Sequence, residues 1–237
     1  MSAPLADPTI GVVTCLYHAR RVGGFWPRIG TQFIDAWFAP SVRIAHRGGS
    51  DAFGFGATLA LTRATLDVIG GLEALKDELA DDYWLAALPR RAGLRTVLSE
   101  VEVQTDVVEA SFGRLWSRET RWLRTIRSVN RWGFASLPIT FTAPWLMLGT
   151  MLAIGYAGTP TGAVVAMAVA IGVLSRLALH ARGAAHARAF WSGLPLVPVR
   201  DALLLAEWLA ATFGSHVVWH GAHDDGGPRA CTPREGG

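Results

Sequence analysis

Lysine is almost missing from this chain. Its 237 residues carry 22 basic side chains, of which only Lys76 is a lysine, so arginine supplies the positive charge. Cysteine is scarce too. Cys15 and Cys231 lie far apart, which excludes a disulfide framework and a cysteine zinc site. Charge of either sign is thin, at 17% of residues against about 25% in an ordinary soluble domain. Hydrophobic residues reach 51% and the mean hydropathy is positive, so part of the surface is expected to meet lipid. The net charge of +3 is modest, and no nucleic-acid partner is expected. The opening "MSAPLADPTIGVVTC" lacks a basic segment followed by an apolar one, so no signal peptide is expected.

What is present changes character near residue 133. Before it, short mixed segments read as α/β. "TIGVVTCLY" (9–17) and "GATLALT" (56–62) read as strands, and "RTVLSEVEVQTDVV" (95–108) as one or two more, from alternation and β-branched content. Between the second and the third, residues 64–93 read as helix, Gly-Gly break, helix, with Pro89 near the end.

Beyond residue 133 come two long apolar runs. Residues 134–156 contain no charge, and 160–181 are apolar as far as Arg176. Each is long enough to cross a hydrocarbon core of about 30 Å, which takes about 20 helical residues. Pro138 and Pro144 are expected to kink the first run. "GTPTG" (158–162) reads as a tight turn that makes the two a membrane hairpin; the other reading is a buried helical pair. A third apolar stretch, with a possible span at 198–219, carries Arg200, Asp201 and Glu207. It either spans with those charges near one end or against protein, or lies re-entrant or interfacial. The tail, 221–237, reads as disordered. Arginines cluster before the first run and after the second, with none in the turn. The positive-inside rule therefore places residues 1–133 in the cytoplasm and the turn outside.

Two motifs stand out. "LADDYW" (79–84) sets Asp81 and Asp82 side by side among apolar and aromatic residues. Like charges that close repel, so a purely structural helix gains little from the pair. "RLWSRETRWLRTIRSVNRW" (114–132) repeats arginine every three or four residues, interleaved with Trp116, Trp122 and Trp132. Such a helix suits a membrane interface. Its guanidinium groups also suit a phosphate-bearing substrate, and composition does not choose between the two. His18, His46, His180 and His186 show no metal-ligand spacing and read as surface or interfacial residues.

"ADDYW" (80–84), then "RETRW" (118–122), then apolar runs: this order resembles the lipid-directed family 2-type glycosyltransferases and the ceramide glucosyltransferase-like family. Those enzymes place an acidic residue in such a context, then Q/R-x-x-R-W, then membrane helices. Arg118, Arg121 and Trp122 match every fixed position of the second motif. "LADPTIGVVTCLYHAR", "FGFGATLALTRATLDVIGG" and "RWLRTIR" look like the bacterial hopanoid-biosynthesis branch, and the likeness covers about residues 4–220.

The resemblance implies a GT-A fold, here a partial cytoplasmic catalytic domain over 1–133 followed by a membrane region over 134–220. It implies a membrane-bound inverting glycosyltransferase. The donor would be a UDP-sugar (UDP-N-acetylglucosamine or UDP-glucose) and the acceptor a hopanoid or ceramide-like lipid hydroxyl. The setting would be the bacterial inner membrane, crossed several times. By the same resemblance Asp82 is the base; repulsion from Asp81 and burial against Tyr83 and Trp84 are both expected to raise its pKa. Arg118 and Arg121 meet the leaving diphosphate, and Trp122 walls the acceptor or sugar site. Gly54 and Gly56 let backbone approach the ligand; a plain tight turn is the other reading.

The family also uses an early aspartate for the nucleotide and a D-x-D pair for Mg²⁺ or Mn²⁺. Neither is found here, since Asp7 and Asp51 stand alone. The chain therefore reads as the C-terminal part of such an enzyme, with a divalent cation expected for the complete one and little transfer expected from this chain by itself. The rival reading is a non-catalytic membrane protein whose Arg/Trp helix binds anionic lipid or a partner.

Overall fold

The computed structural model describes residues 3–76, 78, 80–183, 187–214, 217–219 and 222–224. A 3-10 turn, Pro4–Ala6, leads into strand β1 (Ile10–Arg21). Residues 11–17 of β1 are all buried, the pattern of a strand covered on both faces. A continuous helical stretch follows: α1 (Phe25–Phe33), a π-helical segment (Ile34–Phe38) and α2 (Ala39–Arg47). It buries Ile29, Phe33, Ile34, Trp37 and Val42.

Next come β2 (Leu59–Leu61) and α3 (Arg63–Val68). The Thr62 hydroxyl caps α3 by accepting from the Thr65 N–H at 3.1 Å. Gly70 and Gly71, at φ +86° and +76°, stop it. After a 3-10 turn at Leu72–Leu75, α4 (Asp81–Arg91) carries the paired aspartates in its first turn. The region expected to hold one or two strands is a single one, β3 (Arg95–Val107).

These strands form one sheet in the order β2-β1-β3, with β2 antiparallel and β3 parallel to β1. Register places Val13 opposite Ala60 on one side and Val97 on the other. The parallel pair is joined through the intervening helices, as parallel pairing requires.

Helix α5 (Phe112–Val129) holds the arginine ladder. The first apolar run is not one kinked helix. It divides into α6 (Arg131–Ser136), a 3-10 turn (Leu137–Thr140) and α7 (Thr142–Gly155), with a 51° bend between the two parts. Pro138 sits in the break, whereas Pro144 lies in the first turn of α7, where its missing N–H has no partner to lose. α7 alone spans about 21 Å at 1.5 Å per residue, short of a hydrocarbon core. α8 (Pro160–Gly183) is one helix of 24 residues.

α7 and α8 pack along each other through small residues. A Cβ on Gly149 would come within 2.6 Å of Val169, and one on Gly172 within 3.0 Å of Leu146. Their outer faces expose Met147, Met151, Ile154, Val164, Met167 and Leu174. Among the described residues α8 is long and apolar enough to cross a membrane, and the bent pair formed by α6, the 3-10 turn and α7 is a second such segment if it counts as one span.

The third apolar stretch differs from the expected span. After α9 (Ala187–Gly193), α10 (Leu196–Phe213) ends early, and residues 217–219 form β4, paired with β5 (Ala222–Asp224). Residues 222–224 thus belong to a strand; the rest of the expected disordered tail lies outside the described residues. The charges of α10 are turned into protein: Arg200 bonds Glu119 of α5 at 2.5 Å, and Asp201 takes two bonds from Arg176 of α8 at 2.8 and 3.0 Å. The hydrophobic core is continuous across residue 133. Tyr17, Phe33, Trp37, Val107 and Leu123 pack in one cluster with Phe134, Phe141 and Leu204.

Candidate active site

Asp82 is the second residue of α4 and is half-buried. Its Oδ1 accepts from the Tyr83 N–H at 2.8 Å and its Oδ2 from the Gly56 N–H at 3.0 Å. Burial lifts its carboxyl above the ordinary value, and the Asp81 charge adds to the lift; the backbone donors pull the other way. The direction matches the sequence reading, but burial rather than the neighbouring carboxylate leads. Asp81 is exposed and accepts from the Asp82 N–H at 2.9 Å.

Gly54 and Gly56 lie in the loop before β2, not in a strand. Their missing side chains make room for α4. A Cβ on Gly54 would sit 2.5 Å from the Asp82 carbonyl oxygen, and one on Gly56 2.9 Å from Asp82 Oδ2. The close approach expected toward a ligand is here toward the aspartate itself.

Phe55, between those glycines, begins an aromatic cluster. Its ring centroid is 6.2 Å from Tyr17 and 5.4 Å from Phe38. Tyr17 stacks on Phe38 at 5.1 Å and meets Trp122 edge-on at 6.5 Å; Phe33 lies 5.8 Å from Trp122. The loop that holds Asp82 and the helix that carries R-x-x-R-W therefore meet on one set of rings. Tyr17 joins them electrostatically as well. Burial pushes its phenol far above the ordinary range, with the Asp82 charge adding to the rise and Arg118 opposing it.

Arg118 is not an open cation. Its Nη1 bonds Glu109 at 2.6 Å and its Nη2 bonds Glu119 at 3.1 Å, while its guanidinium carbon lies 5.3 Å from the Trp122 ring centre. Only 13% of its side chain is exposed. The line of charge continues inward from Glu119 to Arg200 and on to Glu207, both nearly fully buried. Arg121 is half-buried one turn further along α5. Arg118 thus locks the helix in place and presents the Trp122 face, instead of offering an unpaired charge to solvent.

Sequence reasoning missed Tyr17, Glu119, Arg200 and Glu207 as parts of this arrangement. It also misplaced His180, which is buried and bonds the Phe190 carbonyl at 3.1 Å through Nε2. His18 and His46 are exposed as expected, and His186 lies outside the described residues. Among the described residues no three His, Cys, Asp or Glu side chains gather as a metal site.

No curated protein and no solved structure gives a significant match to the chain. The model of glycosyl transferase family 21 matches residues 1–224, and the chain belongs to that family.

Proposed function

We propose that the chain serves an inverting, membrane-bound glycosyl transfer from a UDP-sugar to a lipid hydroxyl, a hopanoid or a ceramide-like alcohol, with Asp82 as base. The observation that carries this reading is the convergence of Asp82 and the Arg118–Trp122 motif on the Tyr17 aromatic cluster.

Inversion is one displacement. The acceptor oxygen attacks the anomeric carbon, the bond from that carbon to the diphosphate oxygen breaks, and the hydroxyl proton passes to Asp82. A carboxylate lifted by burial is a stronger base than a solvated one. The two backbone N–H donors, from Gly56 and Tyr83, fix its oxygens. Trp122 and the rings beside it offer a flat apolar wall for a sugar face or a lipid tail. Arg121 is read as the cation where the diphosphate charge grows, with Arg118, paired to Glu109 and Glu119, holding Trp122 and the helix in place. Metal ions assist many such leaving groups, but no step is routed through one here.

The hairpin α7–α8 is read as the membrane anchor, with the bent α6–α7 segment and α8 as its two spans. α10 is read as packed on α1, α5 and α7 and tied to α8 by the Arg176–Asp201 pair, not as a third span, because it ends at Phe213 after 18 residues and carries three charged side chains. Residues 1–133 then lie on the cytoplasmic side.

The test is UDP release and lipid glycosylation in vesicles, with a hopanoid or ceramide-like alcohol as acceptor. It is run on the full chain and on its Asp82→Asn variant. Turnover that Asp82→Asn abolishes, with membrane insertion intact, supports the reading. Turnover indifferent to Asp82→Asn overturns it. Lipid binding that depends only on the arginine ladder would favour the non-catalytic alternative.

A further inference from the structure

A polar cleft lies apart from Asp82. It has a volume of about 360 Å³ and opens between the end of β1, the α1 and π-helical stretch, the last turn of α8 and α9. Three guanidinium groups line it, those of Arg21, Arg28 and Arg188, with His180 and Gln32 in the wall. Among the described residues none of the three arginines has a carboxylate within 4.0 Å. The one acid in the lining is Asp35. Its Oδ1 is occupied by the Ala19 N–H at 2.9 Å, and burial holds its carboxyl above the ordinary value. The cleft therefore sets three guanidinium groups against one carboxyl.

Its frame is fixed. Arg28 bonds the Ser192 carbonyl at 2.6 Å and Gln32 donates to the Gly193 carbonyl at 3.3 Å, tying α9 to α1. That bond engages only Nη2 of the Arg28 guanidinium, which lines the cleft. Gln32 Oε1 is buried, and among the described residues no donor reaches it. An occupant that satisfied both features would bring anionic oxygens for the arginines and a hydroxyl for Gln32. The setting points the same way. The cleft sits at the arginine-rich end of α8, and beside it α9 exposes Trp191, an indole placed as at a headgroup layer.

We propose that this cleft binds a phosphate group carrying a neighbouring hydroxyl, as in the glycerol-phosphate headgroup of an anionic lipid. It is a site separate from the one at which sugar transfer is proposed. A free phosphate compound offers the same chemistry, so the test has two arms.

Purified full chain in phosphatidylcholine nanodiscs is titrated with dioleoyl-phosphatidylglycerol, and separately with soluble pyrophosphate and glycerol-3-phosphate. Bound molecules are counted by native mass spectrometry. One saturable phosphatidylglycerol is expected, and the Arg21→Ala/Arg188→Ala double variant should weaken it by about tenfold or more, the scale of a lost charge-assisted hydrogen bond. Both positions are exposed, so the variant should fold, as thermal unfolding will show. Arg63→Ala, far along the chain and paired only with Asp67, should bind as wild type. Saturable binding of a soluble phosphate alone, lost in the double variant, keeps the phosphate site and identifies a free ligand as its source. No saturable binding in either arm, or binding that the double variant leaves unchanged, overturns the proposal.

Discussion

The Gly56 N–H points at Asp82 Oδ2 from 3.0 Å, across 26 positions of chain. One bond thus couples the glycine loop to the first turn of α4. It fixes the carboxylate that faces the aromatic cluster, and the glycine is there because a side chain would strike that same oxygen.

Gly54→Ala and Gly56→Ala should therefore each disturb Asp82. The first adds a methyl 2.5 Å from the Asp82 carbonyl oxygen, the second one 2.9 Å from its carboxylate. Overpacking of this kind costs about 1–3 kcal/mol. Both variants should melt lower, and Gly56→Ala should lose more turnover than its stability loss explains. Thermal unfolding and UDP release on the same preparations separate the two effects.

Asp82→Asn should lower transfer by about 10² or more, the scale of a lost general base. Wild-type activity should rise with pH through a carboxyl displaced above 3.8. The stability sign is the reverse of a salt-bridged aspartate. A raised folded-state pKa gives stability that is complete below the unfolded pKa and is lost as pH rises through the folded one. Asp82→Asn should therefore unfold no more easily than wild type at neutral pH, with the gap closing in acid. A neutral-pH melting point well below wild type would contradict this.

Arg200→Met should be the most damaging single change outside the apolar core. It strands Glu207 and leaves Glu119 with Arg118 as its remaining cation, both carboxyl groups being fully buried. Removing one partner of a buried ion pair costs about 3–5 kcal/mol. Adding Glu119→Gln and Glu207→Gln should recover most of it. Denaturant unfolding in detergent gives the comparison.

Cysteine labelling checks the hairpin. With Cys231 replaced by serine and Cys15 left buried, Thr161→Cys at the exposed turn into α8 should react with an impermeant maleimide only from the side opposite residues 1–133. Reaction from the same side would remove the spanning hairpin.

The three strands and the helices α3 and α4 were legible because their patterns are local, β-branched runs and a Gly-Gly break, whereas the helical stretch from α1 to α2 went unread. The bend in the first apolar run was half legible, since Pro138 marks it, whereas Pro144 at a helix start disturbs nothing. Asp82 and the R-x-x-R-W residues were found by order along the chain, but their meeting on Tyr17 was not, because one tyrosine in an apolar strand reads as core. Glu119 carried a signal that went unread. It lies four residues from both Leu115 and Leu123, and all three are buried on one face of α5. Arg200, Leu204 and Glu207, four and three residues apart, likewise share one face of α10, and all three are buried. A charge on an apolar stripe needs a partner on the facing helix. Chain order alone does not name it.

The ion pair between Glu119 and Arg200 also bears on how such a chain can change over generations. Replacing either leaves its buried partner on a single remaining ion pair, Glu119 on Arg118 or Arg200 on Glu207, so changes at the two positions are coupled. A graft that exchanged the apolar C-terminal region for another protein's would fail at this contact unless position 119 were altered with it.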